Sequence, residues 1–165
     1  MKQLIVTLIG KDRPGLVELV SNTVLQHQGS WQASNFSNLS GQFAGILHIA
    51  VPTQQVKELC KALDDISELH IHFVEANSTL SSHKTYQLTI TGNDRPGIVS
   101  EVTTKLASMS VNIHKLKTTT QGAPNSGHSL FVASFELDLP TSVDLDQVQG
   151  ALEALADDLT IDIED

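Results

Sequence analysis

Scarcity sets the first limits on this 165-residue chain. Its one cysteine, Cys60, excludes an intramolecular disulfide and fits a reducing compartment. No apolar run approaches the roughly 20 residues of a membrane span, so no membrane partner is expected. The N-terminus enters an alternating pattern at once, without the apolar stretch and small-residue cleavage site of a secretory signal. The expected location is the cytoplasm. Basic residues are few: ten Lys and Arg stand against nineteen Asp and Glu, a net charge of −9. Through Leu80 there are five basic and seven acidic residues; from Ser81 onward there are five and twelve, the excess clustering between Glu136 and Asp165. Such a surface favours solubility and repels phosphate backbones, which argues against direct nucleic-acid binding. Nucleophile-elbow, phosphate-loop and zinc-enzyme motifs are missing as well, and no enzyme activity or cofactor is expected.

What is present is repetition. The phrase GKDRPGLV, Gly10 to Val17, returns as GNDRPGIV, Gly92 to Val99, 82 positions later with six of eight residues identical. That spacing nearly halves the chain and predicts two domains, 1–76 and 85–165, joined by a linker over 77–84. Domains of about 80 residues bury only modest cores. With forty per cent apolar residues the composition is that of an ordinary globular protein.

Each half reads as strand, helix, strand, strand, helix, strand. In the first, Gln3 to Ile9 is dense in β-formers, Leu16, Val20 and Val24 recur at helical spacing, and Trp31 to Leu39 is extended. Ser40-Gly41 is a turn, Phe43 to Val51 a strand that Pro52 stops, and Val56, Leu59, Cys60, Leu63 and Ile66 form the stripe of a second helix. Leu69, Ile71 and Phe73 alternate with His70 and His72 in a half-buried strand. The second half repeats this order. Tyr86, Leu88 and Ile90 alternate, then come the Ile98, Val102, Leu106 stripe, a strand over Val111 to Thr119, a polar turn at 121–128, and alternation from Phe131 to Leu139. The Leu145, Val148, Leu152, Leu155 helix and a strand carrying Leu159, Ile161 and Ile163 complete it. The predicted fold class is α+β: two ferredoxin-like βαββαβ domains, each a four-stranded antiparallel sheet with two helices on one face and its first and third strands central.

Much of DRPG is local physics. Pro14 and Pro96 suit the first position of a helix, where no N–H is needed. Asp12 and Asp94 lie where a carboxylate can accept free helix N–H groups. Gly15 and Gly97 then fall inside the first turn, at a cost of about 1 kcal/mol against alanine. A missing Cβ there admits either a neighbouring strand or a ligand. A helix N-terminus also offers N–H groups to an anion, while Asp12 or Asp94 attracts a cation. The loop therefore fits a zwitterion, such as a free amino acid, better than a phosphate.

A βαββαβ unit with D-R-P-G-[LI]-V between first strand and first helix resembles the ACT domain, the small amino-acid-sensing module of metabolic regulation. The resemblance runs through both halves, from Lys2 to Asp165. Two such units filling a short chain, with no enzyme or helix-turn-helix attached, are similar to the glycine cleavage system transcriptional repressor family. The resemblance implies a ligand at an interface between two units, where the strand-to-helix loop of one faces the start of the second strand of the other. It sets Asp12 and Asp94 where serine-binding members have an asparagine. It matches Gly15 and Gly97 to the family glycine, and Asn112 to an asparagine that reaches across. Gly10 and Gly92 depart from it, since some binders have a histidine there. On an alignment with one extra residue between Gly15 and Gly29, Trp31 matches Asn112. Two unequal sites follow. One combines Asp12, Arg13 and Gly15 with Asn112 and Ile113. The other combines Asp94 and Gly97 with Trp31 and Gln32, where the indole fills the space or acts as a lid.

The resemblance further implies a small amino acid, glycine, as ligand and a transcription factor as protein partner, so that repression is indirect. A ligand-free interaction scaffold is the alternative, and a homo-oligomer is compatible with either. His70 and His72 share one side of a strand but lack the further ligands a metal site needs. Cys60, on an apolar helix stripe, reads as a small buried hydrophobe. His114 and Lys115 either border the ligand site or protect an exposed strand edge.

Overall fold

The computed structural model describes residues 1–77, 84–122 and 127–165. Most of the expected linker, 78–83, and the centre of the expected polar turn, 123–126, lie outside the described residues. The chain divides into two compact units, Met1–Leu80 and Ser81–Asp165. The first runs β1 (Lys2–Lys11), α1 (Leu16–Gln26), β2 (Ser30–Leu39), β3 (Gln42–Val51), a short 3-10 turn (Thr53–Gln55), α2 (Val56–Asp64) and β4 (Leu69–Glu75). The second runs β5 (Thr85–Asn93), α3 (Ile98–Ser108), β6 (Asn112–Gly122), β7 (Ser129–Asp138), α4 (Leu145–Glu153) and β8 (Leu159–Glu164).

Both sheets have four strands, in the orders β2-β3-β1-β4 and β6-β7-β5-β8. Every pairing is antiparallel, and the first and third strands of each half are central, as the sequence predicts. Alternation dictates which face is buried. Leu4, Val6 and Leu8 of β1 meet Leu16, Val20 and Val24 of α1 and Leu59 and Leu63 of α2 in one core, so both helices cover the same face. In the second unit Leu88 and Ile90 do the same with Ile98, Val102, Leu106, Val148 and Leu152. Burying each such side chain is worth about 1.5–3 kcal/mol. The outer strands β2 and β6 contain no fully buried residue.

Two expectations change. The helices start later than the prolines suggest: α1 and α3 are N-capped by Gly15 and Gly97, with φ 87 and 90. Pro14 and Pro96 therefore precede the cap, outside the helix. A φ near +90 with ψ near zero is the third position of a type II turn, which favours proline just before it, and this turn competes successfully with a proline-first helix. The second change concerns alignment. Leu16 and Ile98 begin the first helices, Ser30 and Asn112 the next strands, both 82 apart, so no residue is inserted between. The register agrees, with a bulge between Trp31 and Ala33 in one unit and between Ile113 and Lys115 in the other. The counterpart of Asn112 is Ser30, and that of Trp31 is Ile113.

Candidate functional site

Each DRPG loop is fastened to its own sheet. The Asp12 N–H donates to the Gly41 carbonyl (2.9 Å) and the Asp94 N–H to the Ser129 carbonyl (2.8 Å), extending the ladder of the central strands by one bond. The carboxylates do not cap the helices: no side chain caps α1 or α3. The reason is local, because the capping position is glycine. The Asp12 carboxylate instead accepts from the Asn38 amide at the β2–β3 turn. The Asp94 carboxylate has no hydrogen-bond or ion-pair partner among the described residues.

The arginines close each loop onto the start of the last strand. Arg13 makes a two-pronged pair with Glu68, through Nε and through Nη2 (2.6 Å), while its Nη1 donates to the Pro14 carbonyl (2.9 Å). Arg95 donates from Nε to Asp158 (2.9 Å) and grips Glu101 of α3 with Nη1 (2.9 Å) and Nη2 (2.8 Å). Hydrogen bonds from Arg13 hold the Glu68 carboxyl below its ordinary range; Arg95 does the same for Glu101 and Asp158. These pairs are well solvated, so their effect on stability is small. They matter because they satisfy the guanidinium.

The loop glycines separate into two kinds. A Cβ on Gly15 or Gly97 would meet only Arg13 Nη1 at 3.5 Å or Glu101 Oε1 at 3.6 Å, ordinary contacts. Neither a strand nor a ligand approaching closely is needed to explain them; their positive φ suffices. A Cβ on Gly10, by contrast, would collide with the Glu68 carbonyl, and one on Gly92 would lie 2.9 Å from the Asp158 carbonyl. These two glycines let the last strand begin beside the first.

The residues expected opposite the loops sit differently. Trp31 is half-buried at the start of β2, its indole N–H donating to Ser34 Oγ (3.1 Å), its ring tilted against Phe36 at 6.0 Å. It walls a groove of about 500 Å³ between α1 and β2, with Val17, Val24, Leu25 and Phe36. Asn112 is exposed and its side chain has no partner among the described residues. Ile113 packs against the second core. His114 Nε2 lies 3.7 Å from the Asp138 carboxylate. Elsewhere, burial pushes the Cys60 thiol up, with Asp64 adding to the effect.

Within one unit the two groups are far apart. Gly10 pairs with Phe43, at one end of the sheet; Trp31 pairs with Ile49, which pairs with Leu4, at the other. Six strand residues span about 20 Å, beyond the reach of a free amino acid. The same separation holds for Gly92 and Ile113. Sequence reasoning missed Asn38, Glu68, Glu101 and Asp158, which organise the loops. A signal existed for two of them: an acidic residue directly precedes the first residue of the last strand in both halves, Glu68-Leu69 and Asp158-Leu159.

Sheet order, helix placement and a glycine-hinged loop between first strand and first helix, all repeated, define a tandem of βαββαβ domains. Residues 2–74 and 82–160 each match the ACT domain model, and the chain belongs to the ACT domain family, with two ACT domains in tandem. Similar solved structures include an unknown protein from Galdieria sulphuraria, 28% identical with a TM-score of 0.88, the match covering 99% of this chain and 97% of that one. Another is a candidate glycine cleavage system transcriptional repressor, 17% identical with a TM-score of 0.72, covering 99% of this chain and 98% of its own. That second likeness is one of fold. No curated protein matches the sequence. Among the described residues no helix is long and apolar enough to cross a membrane.

Proposed function

We propose that this tandem ACT protein is a non-enzymatic regulator that binds a small amino acid and reports its presence to a protein partner. By resemblance the amino acid is glycine and the partner a cytoplasmic transcription factor governing the glycine cleavage system, so that repression needs no direct contact with nucleic acid. The observation that carries the reading is the doubled loop: two helix starts without a side-chain cap, each beside an aspartate. Uncapped N–H groups suit a carboxylate, and the aspartate suits an ammonium.

The proposed ligand groups are Asp12, Arg13 and Gly15 with Asn112 and Ile113, and Asp94 and Gly97 with Trp31. Because loop and second strand are about 20 Å apart within a unit, each set serves one ligand only if its members come from different ACT units. Asp94 and Asn112, whose side chains have no partner among the described residues, are the readiest to engage one. Asp12 and Arg13, already engaged by Asn38 and Glu68, favour the second reading, an interaction scaffold in which the loop is architecture alone.

A coupling of about 1–3 kcal/mol between ligand and partner sites suffices for a 5–150-fold switch. Calorimetric titration with the twenty amino acids tests the proposal. Heat and thermal stabilisation with glycine are expected, and their loss in Asp94→Ala with Asn112→Ala. Silence towards all twenty at millimolar concentration leaves the scaffold.

A further inference from the structure

The two DRPG loops have unequal neighbours within their own units. In the first, Gly10, Phe43 and Asn38 stand side by side across β1, β3 and β2; in the second, Gly92, Phe131 and Thr120 do so across β5, β7 and β6. Asn38 and Thr120 are therefore register counterparts. Asn38 makes two bonds. Its Oδ1 accepts the Gly41 N–H at 3.2 Å, in the β2–β3 turn, and its Nδ2 donates to the Asp12 carboxylate. Thr120 carries no amide, and its hydroxyl has no partner among the described residues. Asp94 is left without a partner there as well. Charge separates the loops further. Arg13 pairs with one carboxylate, Glu68, whereas Arg95 is shared by Glu101 and Asp158, and Leu19 stands where the second unit has Glu101. With Asp94 unpaired, the second loop holds the larger uncompensated negative charge, which draws a cationic group.

We propose, resting on the amino-acid reading of the doubled loop, that Asn38 and its counterpart Thr120 decide which loop takes the ligand's ammonium group. Asn38 locks the first loop, and Thr120 leaves the second open. To receive an ammonium, Asp12 must release an amide donor already on one of its two oxygens, while Asp94 gives up only water. Releasing a hydrogen bond to an ionised group weakens a competing contact about tenfold or more. The repeated phrase thus serves two ends. In the first unit its aspartate ties the helix start to the β2–β3 turn; in the second its aspartate senses.

Amide chemical shifts of the nitrogen-labelled full chain, followed by nuclear magnetic resonance as glycine and then each other amino acid is added, test this. Amides from Gly92 to Ile98 should move, and those from Gly10 to Leu16 should stay. Thr120→Asn should weaken the second-loop response about tenfold or more, while Thr120→Val, of similar shape but without a donor, keeps it. Asn38→Thr should leave the second loop as it was and bring the first loop into the response. If Asn38→Thr loses its circular-dichroism signature, Asn38→Ser replaces it. Two loops that respond alike in the wild-type chain, or a pattern that either exchange leaves unmoved, overturn the lock while amino-acid binding stands. Silence of the wild-type chain and all variants towards all twenty removes the amino acid and the lock together.

Discussion

Two kinds of glycine flank each DRPG aspartate and arginine, and different forces select them. Gly15 holds φ at 87 in open surroundings, whereas the Cβ position of Gly10 is already occupied by the Glu68 carbonyl. Gly15→Ala should cost about 1–2 kcal/mol, the penalty of a left-handed backbone with a Cβ. Gly10→Ala should cost at least as much, through overpacking of about 1–3 kcal/mol, because a backbone carbonyl has no rotamer with which to yield. Urea unfolding of the two variants measures this, and a milder Gly10→Ala would contradict it. The sequence makes the duplication plain but leaves the glycines ambiguous. Proline-glycine reads equally as a helix start with proline first or as the centre of a type II turn. The close approach at Gly10 depends on where Glu68 lies in space, which no local pattern encodes. For the same reason Asp12 looks free in the sequence and is held by Asn38 in the fold.

Helix starts are built in two ways in this chain. At α4 the Asp144 carboxylate accepts the Gln147 N–H at 2.8 Å, and the Gln147 side chain accepts the Asp144 N–H at 3.0 Å, a complete capping box. At α1 and α3 a glycine turn replaces the cap. Asp144→Ala should therefore destabilise by about 1 kcal/mol, while Asp94→Ala leaves thermal stability nearly unchanged and alters only ligand response. Equal losses in thermal unfolding of the two variants would show that Asp94 is structural. Strands differ in legibility for a comparable reason. In β5, Leu88 and Ile90 are buried in the core and alternate with Gln87, Thr89 and Thr91, so the period of two is written in the residues. In β6 only Ile113 is even half-buried, and a bulge follows it at once, so little in the sequence marks its register. The misplaced partner of Asn112 came from such a strand: with no buried pattern to align on, Trp31 and Ser30 are equally plausible until the bulges are superposed.

At the scale of the whole chain, duplication has produced two complete cores. The cluster around Leu4, Val6 and Leu47 and the cluster around Leu88, Phe135 and Leu137 have no residue in common. Each sheet closes its own hydrogen-bond ladder, and the halves differ both inside their cores, Phe135 where β3 has Leu47 and Leu137 where it has Ile49, and outside them, Ser134 where β3 has Ile46. A core lesion in one unit should therefore be felt first in that unit. Leu137 is fully buried, and truncation to alanine removes its packing and leaves a cavity, a loss of about 2–5 kcal/mol. Amide hydrogen exchange of Leu137→Ala should accelerate at β5 and β7, whose protection depends on that core, while amides of β1 and β3 keep their wild-type rates. Ile49→Ala, at the register counterpart, should give the reverse pattern. If either variant accelerates exchange equally in both sheets, the two cores open as one cooperative unit, and the independence inferred from their separate composition is wrong.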